Sequence, residues 1–390
     1  MDAAAEHPST IVPRVCFALS TRGFAFGGLE TVADHLAAGL VARGYQVDVV
    51  VGTALGRRGR TDLPAGPRAV VVPVLAHDSL AARLLGRALR LPPLHVQSIS
   101  FLAACLSRRA ARGALLGADV GITFLEGEAA PVSRLLARRG RASIAYLAGA
   151  IHLGWARADR STRRVATSHT IAELYRSQGL ACHAVVTPGV SADLLRGPAA
   201  SPSEPRLLYV GRLESNKRVH WLLEVLGCLL PRFPNLRLYV VGDGPTRSAL
   251  QAAVEARGLA PNVAFTGALA PVQVEAQLRR ADVFVFPSAY ESFGTVALEA
   301  LAAGLPVVAS DLPALREATG GHATLVPMAD LDGWVAAVAE LLSDPRLRAA
   351  RAEAGRRWAA AFTWDRVLDR FQAVVEEAIQ ARPASTARPG

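Results

Sequence analysis

Short runs of β-branched and aromatic residues alternate with amphipathic stretches along nearly the whole chain, and that alternation leaves few folds open. RVCFAL (14–19) reads as a buried strand, a glycine-rich turn follows it, and ETVADHLAAGLVARG (30–44) repeats apolar residues at helical spacing. YQVDVVVG, RAVVVPV, DVGITFL, RASIAYLAG and RRVATS are further strand candidates, with helical segments such as EAAPVSRLLARRG between several of them. Strands that alternate with helices pair in parallel, and the fold class expected is therefore doubly wound α/β.

At 390 residues the chain is too long for one ordinary core, so two domains are expected. The alternation breaks at GVSADLLRGPAASPSEP (189–205), where proline, glycine and serine cluster, and restarts with RLLYVGR, LRLYVVGD, VAFTG, VFVFPS and PVVASD. The expected division is a first Rossmann-like domain over 1–190, a linker over 191–205 and a second such domain over 206–363. A last helix over 364–382 and a frayed Pro/Ala/Ser tail over 383–390 complete it. In such sheets ligands bind beyond the carboxyl ends of the strands, at helix N-termini, so functional motifs are expected at strand-to-helix turns.

Charge and cysteine content narrow the partners. The net charge of +10 lies in the first half: residues 1–200 carry 23 basic and 13 acidic side chains, residues 201–390 carry 20 of each. Nucleic acid is not expected, because no binding motif and no basic–aromatic interleaving is present. An anionic substrate or an anionic membrane face fits the excess better, and arginines spread over solvated helices fit it as well. LAARLLGRALRL (80–91) is basic and amphipathic, as an interfacial helix would be, or an acceptor segment, or an ordinary packed helix. Four cysteines, Cys16, Cys105, Cys182 and Cys228, form no CxxC pair, which suits a reducing compartment. No signal peptide is visible at the start, and no apolar run reaches the ~18 residues of a membrane span. The expected location is cytoplasmic, with peripheral contact at the inner membrane face open.

Three stretches carry chemistry. GRLESNK (211–217) ends on Lys217, the only lysine in a chain with 42 arginines. Arg212 and Lys217 follow a strand, where a fork and a compact ammonium would clamp a diphosphate; each also reads as an ordinary surface charge. VGDGP (241–245) starts like a dinucleotide fingerprint, but the third glycine is missing, so Gly242 reads as a close-approach turn beneath another nucleotide. PSAYESFGTVALEALAAGLPVVASD (287–311) places Glu291 and Glu299 eight residues apart. With a helix starting near Phe293, Glu291 lies in the loop and Glu299 about two turns in. The amides of Phe293, Gly294 and Thr295 then offer an anion site at the helix start. Glu299, in an apolar helix, needs a partner, and either a ligand hydroxyl or a structural hydrogen bond would serve.

GRLESNK, VGDGP, YESFGTVALEALAAGLPVV and the early FGGLET together resemble the family-4 retaining glycosyltransferases of GT-B fold, over nearly the whole chain. The resemblance implies two Rossmann-like domains facing a central cleft, the first binding the acceptor and the second a nucleotide sugar. It assigns Arg212 and Lys217 to the diphosphate, Glu299 to the ribose hydroxyls, and Glu291 to the donor sugar. It further assigns Phe293–Gly294–Thr295 to sugar and phosphate, and Gly27 and Gly28 to a loop over the donor, and it sends the last helix back to the first domain. Two departures stand out. Ala148 occupies the place where the family often has a histidine, with His152 four residues on as a substitute or a structural residue, and TPGV (187–190) lacks the usual asparagine.

The chemistry implied is transfer of a hexosyl unit from a nucleoside-diphosphate sugar, UDP-sugar favoured, to a hydroxyl of a small molecule, glycan or lipid, giving an α-glycoside. Arg212, Lys217 and the helix amides would stabilise charge on the leaving diphosphate, with no metal and no further cofactor required. The two glutamates are placed for binding rather than for double displacement. A GDP-mannose-dependent mannosyltransferase acting on a membrane lipid is the runner-up, and a non-catalytic sugar-nucleotide-binding protein the alternative of another class. A phosphorylase would need a pyridoxal lysine, and the single lysine belongs to the clamp.

Overall fold

The computed structural model describes residues 12–19, 28–54, 66–74, 79–89, 93–124, 126–149, 162–197 and 204–381. Gly27, His152 and the tail 383–390 lie outside these residues. The chain divides into two compact units, one of residues 1–166, 174–185 and 368–390, the other of residues 167–173 and 186–367.

In the first unit the described strands are β1 (Arg14–Leu19), β2 (Gln46–Ala54), β3 (Arg68–Val74), β4 (Val120–Thr123), β5 (Ala142–Leu147), β6 (Arg163–Ala166) and β7 (Ala184–Val185). They form a parallel sheet in the order β3-β2-β1-β4-β5-β6-β7, with Phe17 of β1 opposite Val49 on one side and Ile122 on the other. Successive side chains of a strand point to opposite faces. Cys16 and Ala18 therefore join a core with Phe101, Cys105, Leu115 and Leu136, from α2 (Pro93–Ser107), α3 (Arg109–Gly117) and α4 (Glu126–Ala137). Phe17, on the opposite face, stacks on Phe124, which packs on Tyr146, which meets the edge of Phe371. Between strands, α1 (Gly28–Ala42) buries Val32, Ala33, Leu36, Ala37 and Leu40, an apolar stripe at helical spacing. The amide of Tyr45 donates back to the carbonyl of Leu40 across Gly44 at φ 87°, the left-handed turn that ends helices.

The last helix, Trp364–Gln380, supplies the first unit's missing cover. Leu368, Phe371, Val374, Val375 and Ala378 are buried along one side of it. Gly39 makes room for Leu368, whose Cδ atoms lie 2.3 Å from where a Cβ would stand. Arg43 pairs with Asp369 at 2.5 Å, the Tyr45 hydroxyl donates to Glu376 at 2.8 Å, and Arg163 pairs with Glu377 at 2.8 Å.

The second unit's sheet, all parallel, contains β8 (Arg206–Val210), β9 (Arg237–Val241), β10 (Val263–Gly267), β11 (Val283–Phe286), β12 (Val307–Ser310) and β13 (Thr324–Val326). Its order is β10-β9-β8-β11-β12-β13, so Leu208 of β8 lies between Tyr239 of β9 and Phe284 of β11. β11 and β12 are buried at every position, as both-faces-covered strands must be. The chain steps from β8 outward to β9 and later returns beside β8 as β11. The ends of β8 and β11 thus form the switch point at which α/β sheets leave a crevice.

The expected linker over 191–205 is corrected in its described part. Ser191 caps a short 3₁₀ helix, Ala192–Arg196, whose Leu194 is 2% exposed in the second unit's core. The amide of Val190 donates to the carbonyl of Phe362 at 2.8 Å. The second unit therefore resumes at Val186 rather than 206. Leu194 and Leu195 have apolar surface to bury, and the second unit's core takes it.

Candidate functional site

The second unit places most of the expected residues at the switch point. After β8 the backbone turns through Gly211 and Arg212 into a one-turn 3₁₀ segment, Ser215–Lys217. The hydroxyl of buried Tyr209 donates to the carbonyl of Arg212 at 3.0 Å and fixes that turn from beneath. Arg218 then adopts φ 48°, the one positive φ outside glycine among the described residues, at a cost of order 1 kcal/mol. After β11, the amide of Ala289 donates to the carbonyl of Asn216 at 2.8 Å, tying the two loops together.

Across that tie, Lys217 Nζ meets Glu291 Oε1 at 2.6 Å, with side-chain exposures of 18% and 10%. The same ammonium stands 5.6 Å from the centroid of the Phe286 ring, which stacks on Tyr209. Arg212 is half-exposed and pairs with Glu214 at 2.6 Å. Two cationic groups of different kind thus rise from the loop after β8, and the more buried one is held by a carboxylate from the loop after the neighbouring strand β11.

The helix after β11 starts at Thr295, not Phe293, and runs to Ala302. Gly294 precedes it at φ 93°, and a Cβ there would lie 2.4 Å from Leu315 Cδ2, so glycine is required on both counts. No side chain caps this end, so its first amides remain available to oxygen atoms of a ligand. Phe293 is buried against Phe362, which restricts its contribution at the surface of the site to its backbone. Glu299 lies one turn into the helix, is partly buried and has no hydrogen-bond or ion-pair partner among the described residues. Burial, and secondarily the charge of Glu275, push its carboxyl up to about 7.

That shift sets a pH dependence. Between the ordinary value of 4.5 and about 7 the folded chain holds the Glu299 proton that the unfolded chain has lost. Stability contributed at this site therefore falls as pH rises through that window, and the loss is complete above it. Glu299→Gln is expected to remove this slope and to raise stability at about pH 8 by at most about 3 kcal/mol. Urea midpoints of both proteins at about pH 5 and about pH 8 decide it; parallel pH profiles would place the proton elsewhere.

Gly242 has a simpler explanation than a ligand. At φ 135° its Cβ would stand 1.9 Å from the carbonyl oxygen of Gly211, and one on Gly244 would stand 2.4 Å from that of Leu213. The loops after β8 and β9 are laced together there, Gly211 to Val241 at 3.0 Å and Leu213 to Asp243 at 3.0 Å. The close approach is of backbone to backbone. In the first unit Gly28 opens α1, the helix that follows β1, and the order β2-β1-β4 puts that sheet's switch point between β1 and β4.

Several residues at the site had no sequence signal. Ser168 Oγ donates to the carbonyl of Ser292 at 2.6 Å. Glu317 accepts from the amides of His169 and Thr170 at 2.6 and 3.0 Å, capping helix His169–Ser177. Ser288 Oγ, just after β11, is buried with no partner among the described residues. Only the tyrosine two residues before GR could have been noticed, as a polar tip at the end of an apolar strand.

The family profile described as Glycosyl transferases group 1 matches residues 193–358, the stretch that contains Arg212, Lys217, Glu291 and Glu299. Over that stretch the chain is similar to the group 1 glycosyltransferases. Among curated relatives, the glycogen synthase of Mycobacterium tuberculosis is 39% identical over 204 residues, covering 50% of this chain and 49% of that one. The chain thus spans about half the length of the curated relatives it matches. Among solved structures, the sucrose-phosphate synthase of Thermosynechococcus elongatus superposes with a TM-score of 0.75 at 21% identity, covering 94% of this chain and all of that one. Anabaena Alr3699/HepE, solved in complex with UDP-glucose, gives 0.71 at 16%, over 93% and 99%. At those identities the likeness is one of fold: the chain has the two parallel-sheet α/β units of the GT-B class.

Proposed function

We propose that the chain is a retaining glycosyltransferase that moves a hexosyl unit from a nucleoside-diphosphate sugar to a hydroxyl acceptor. The observation that carries this reading is the Lys217–Glu291 contact at the switch point between β8 and β11. There an ammonium and a guanidinium follow β8 and an uncapped helix start follows β11, the two strand ends beyond which an anion would lie. Lys217, Arg212 and the Gly294 and Thr295 amides take up the charge that grows on the leaving diphosphate. Glu299 accepts hydrogen bonds from the ribose hydroxyls, a role suited to a carboxyl with no protein partner. Glu291 orients Lys217 and lies against the donor sugar. The incoming hydroxyl attacks from the face the diphosphate leaves, which itself takes the proton, so the α configuration is retained.

UDP-sugar is the favoured donor, a choice that the UDP-glucose complex of the HepE fold relative supports. A thermal-shift panel of UDP- and GDP-sugars, followed by mass spectrometry of candidate acceptors, tests the reading. A UDP-sugar at about 100 times its Kd is expected to stabilise the chain by about 2.7 kcal/mol. If no nucleotide sugar raises the melting temperature, the proposal fails. Stabilisation without transfer or hydrolysis would make the chain a binding protein instead.

A further inference from the structure

The turn that carries Lys217 contains a backbone conformation that its own residue disfavours. Thirteen glycines hold positive φ among the described residues, and Arg218, at φ 48°, is the one residue of another type that does. Leu213 and Val219 are buried on either side of the loop and fix where it must enter and leave. Between them the amide of Arg218 donates to the carbonyl of Ser215, and the carbonyl of Arg218 accepts from Trp221. The left-handed residue thus ends the 3₁₀ turn and hands the chain to helix Trp221–Leu229. A glycine would make the same turn without the crowding of Cβ against the following carbonyl. The arginine side chain gives nothing back inside the fold. It is exposed, and it has no hydrogen-bond, ion-pair or ring partner among the described residues. Strain of this kind persists where function, rather than stability, keeps the side chain.

Its charge is also the unbalanced one. Arg212 is paired with Glu214, and Lys217 with Glu291. Beyond two further strands of the sheet, Arg247 is paired with Asp243 and Arg316 with Asp311. Each pair sums to zero, so the paired cations bring no net charge to a ligand that is multiply anionic. Arg218 brings one, from a Cα about 3.8 Å from that of Lys217. A guanidinium with its fork open, beside an ammonium and a second guanidinium, suits phosphate oxygens. We infer that Arg218 supplies the net positive charge that draws a diphosphate to the end of β8, acting in binding and not in bond cleavage. The inference rests on the nucleotide-sugar reading for the identity of the ligand, and inorganic pyrophosphate tests the charge apart from that reading.

Three substitutions separate the charge from the backbone. Arg218→Gly removes the charge and relieves the turn. Arg218→Asn removes the charge and keeps a side chain that tolerates the left-handed region, and Arg218→Lys keeps the charge. The full chain is titrated by calorimetry with inorganic pyrophosphate and with UDP-glucose, at low and at high salt. The glycine and asparagine variants are expected to bind both ligands about 5- to 20-fold more weakly at low salt, with the gap narrowing as salt rises. Arg218→Lys should stay within about threefold of the parent. In a transfer assay the loss should fall on the donor KM and leave kcat, because a charge remote from the breaking bond attracts ground state and transition state alike. The glycine variant should melt no lower than the parent, which separates weaker binding from unfolding. Glycine and asparagine variants that bind pyrophosphate as the parent does overturn the inference, and so does a parent that binds no pyrophosphate. A loss confined to the glycine variant also overturns it, in favour of backbone stiffness. Pyrophosphate binding that both variants lose, with no nucleotide sugar bound by the parent, would uphold the role of Arg218 and sink the donor reading instead.

Discussion

Lys217→Arg, which conserves charge, is expected to lower glycosyl transfer by about 10- to 100-fold, and Lys217→Ala by about 10²- to 10³-fold. The ammonium sits 2.6 Å from Glu291 and over the Phe286 ring, in a space shaped for one compact group. A guanidinium is planar and wider, and it cannot keep both contacts while presenting a proton to a phosphate oxygen. Alanine adds a second effect: it leaves the Glu291 carboxylate, 10% exposed, without its partner. Removing one member of so enclosed a pair should cost about 2–4 kcal/mol of stability. Lys217→Ala/Glu291→Gln should recover much of that stability and none of the activity, which separates the structural role from the chemical one. Initial rates at saturating donor, with urea midpoints, measure both. A Lys217→Arg enzyme working at the parental rate would reduce the lone lysine to an accident of composition.

Gly242→Ala should be the most damaging single methyl group in the second unit. Its Cβ would overlap the Gly211 carbonyl at 1.9 Å, and neither backbone can retreat. Gly211 is bonded to Val241, Gly242 is bonded to Gly267, and β8 and β9 are paired along their full length. A loss above about 4 kcal/mol is expected, enough to unfold many domains. Gly258→Ala is the control. Its φ of 68° disfavours alanine but nothing lies within 4 Å of the added carbon, so a cost near 1 kcal/mol is expected. Comparable midpoints for the two variants would show that the two loops part easily. The result also bears on function, since a glycine required by its neighbour's carbonyl is weak evidence of a nucleotide beneath it.

The alternation of strand and helix was readable because parallel strands are buried on both faces and must be apolar throughout, as VFVF and VVAS are. GRLESNK was readable for a related reason: a cation at the end of such a run has no place in the core to explain it. The contact between Lys217 and Glu291 was not readable, because 74 residues separate them and only the insertion of β11 beside β8 brings them together. The helix start was misplaced by two residues because Gly294, in the left-handed region, acts as the boundary itself. Ser168 and Glu317 gave no signal at all. A serine or glutamate that bonds a distant backbone looks, in sequence, like any surface residue.

The chain passes between the two units at Ala166–Thr167, Glu173–Leu174, Val185–Val186 and Val367–Leu368. The unit that begins first on the ribosome is consequently finished last. Its sheet can be synthesised and paired long before Phe371 arrives to cover Tyr146 or Leu368 to fill the space left by Gly39. Until then a stretch of apolar surface stays open while the second unit closes on residues already made. Synthesis of the chain thus has a vulnerable interval that ends only with the helix Trp364–Gln380. A nascent chain stalled before that helix is the form most exposed to chaperones and proteases.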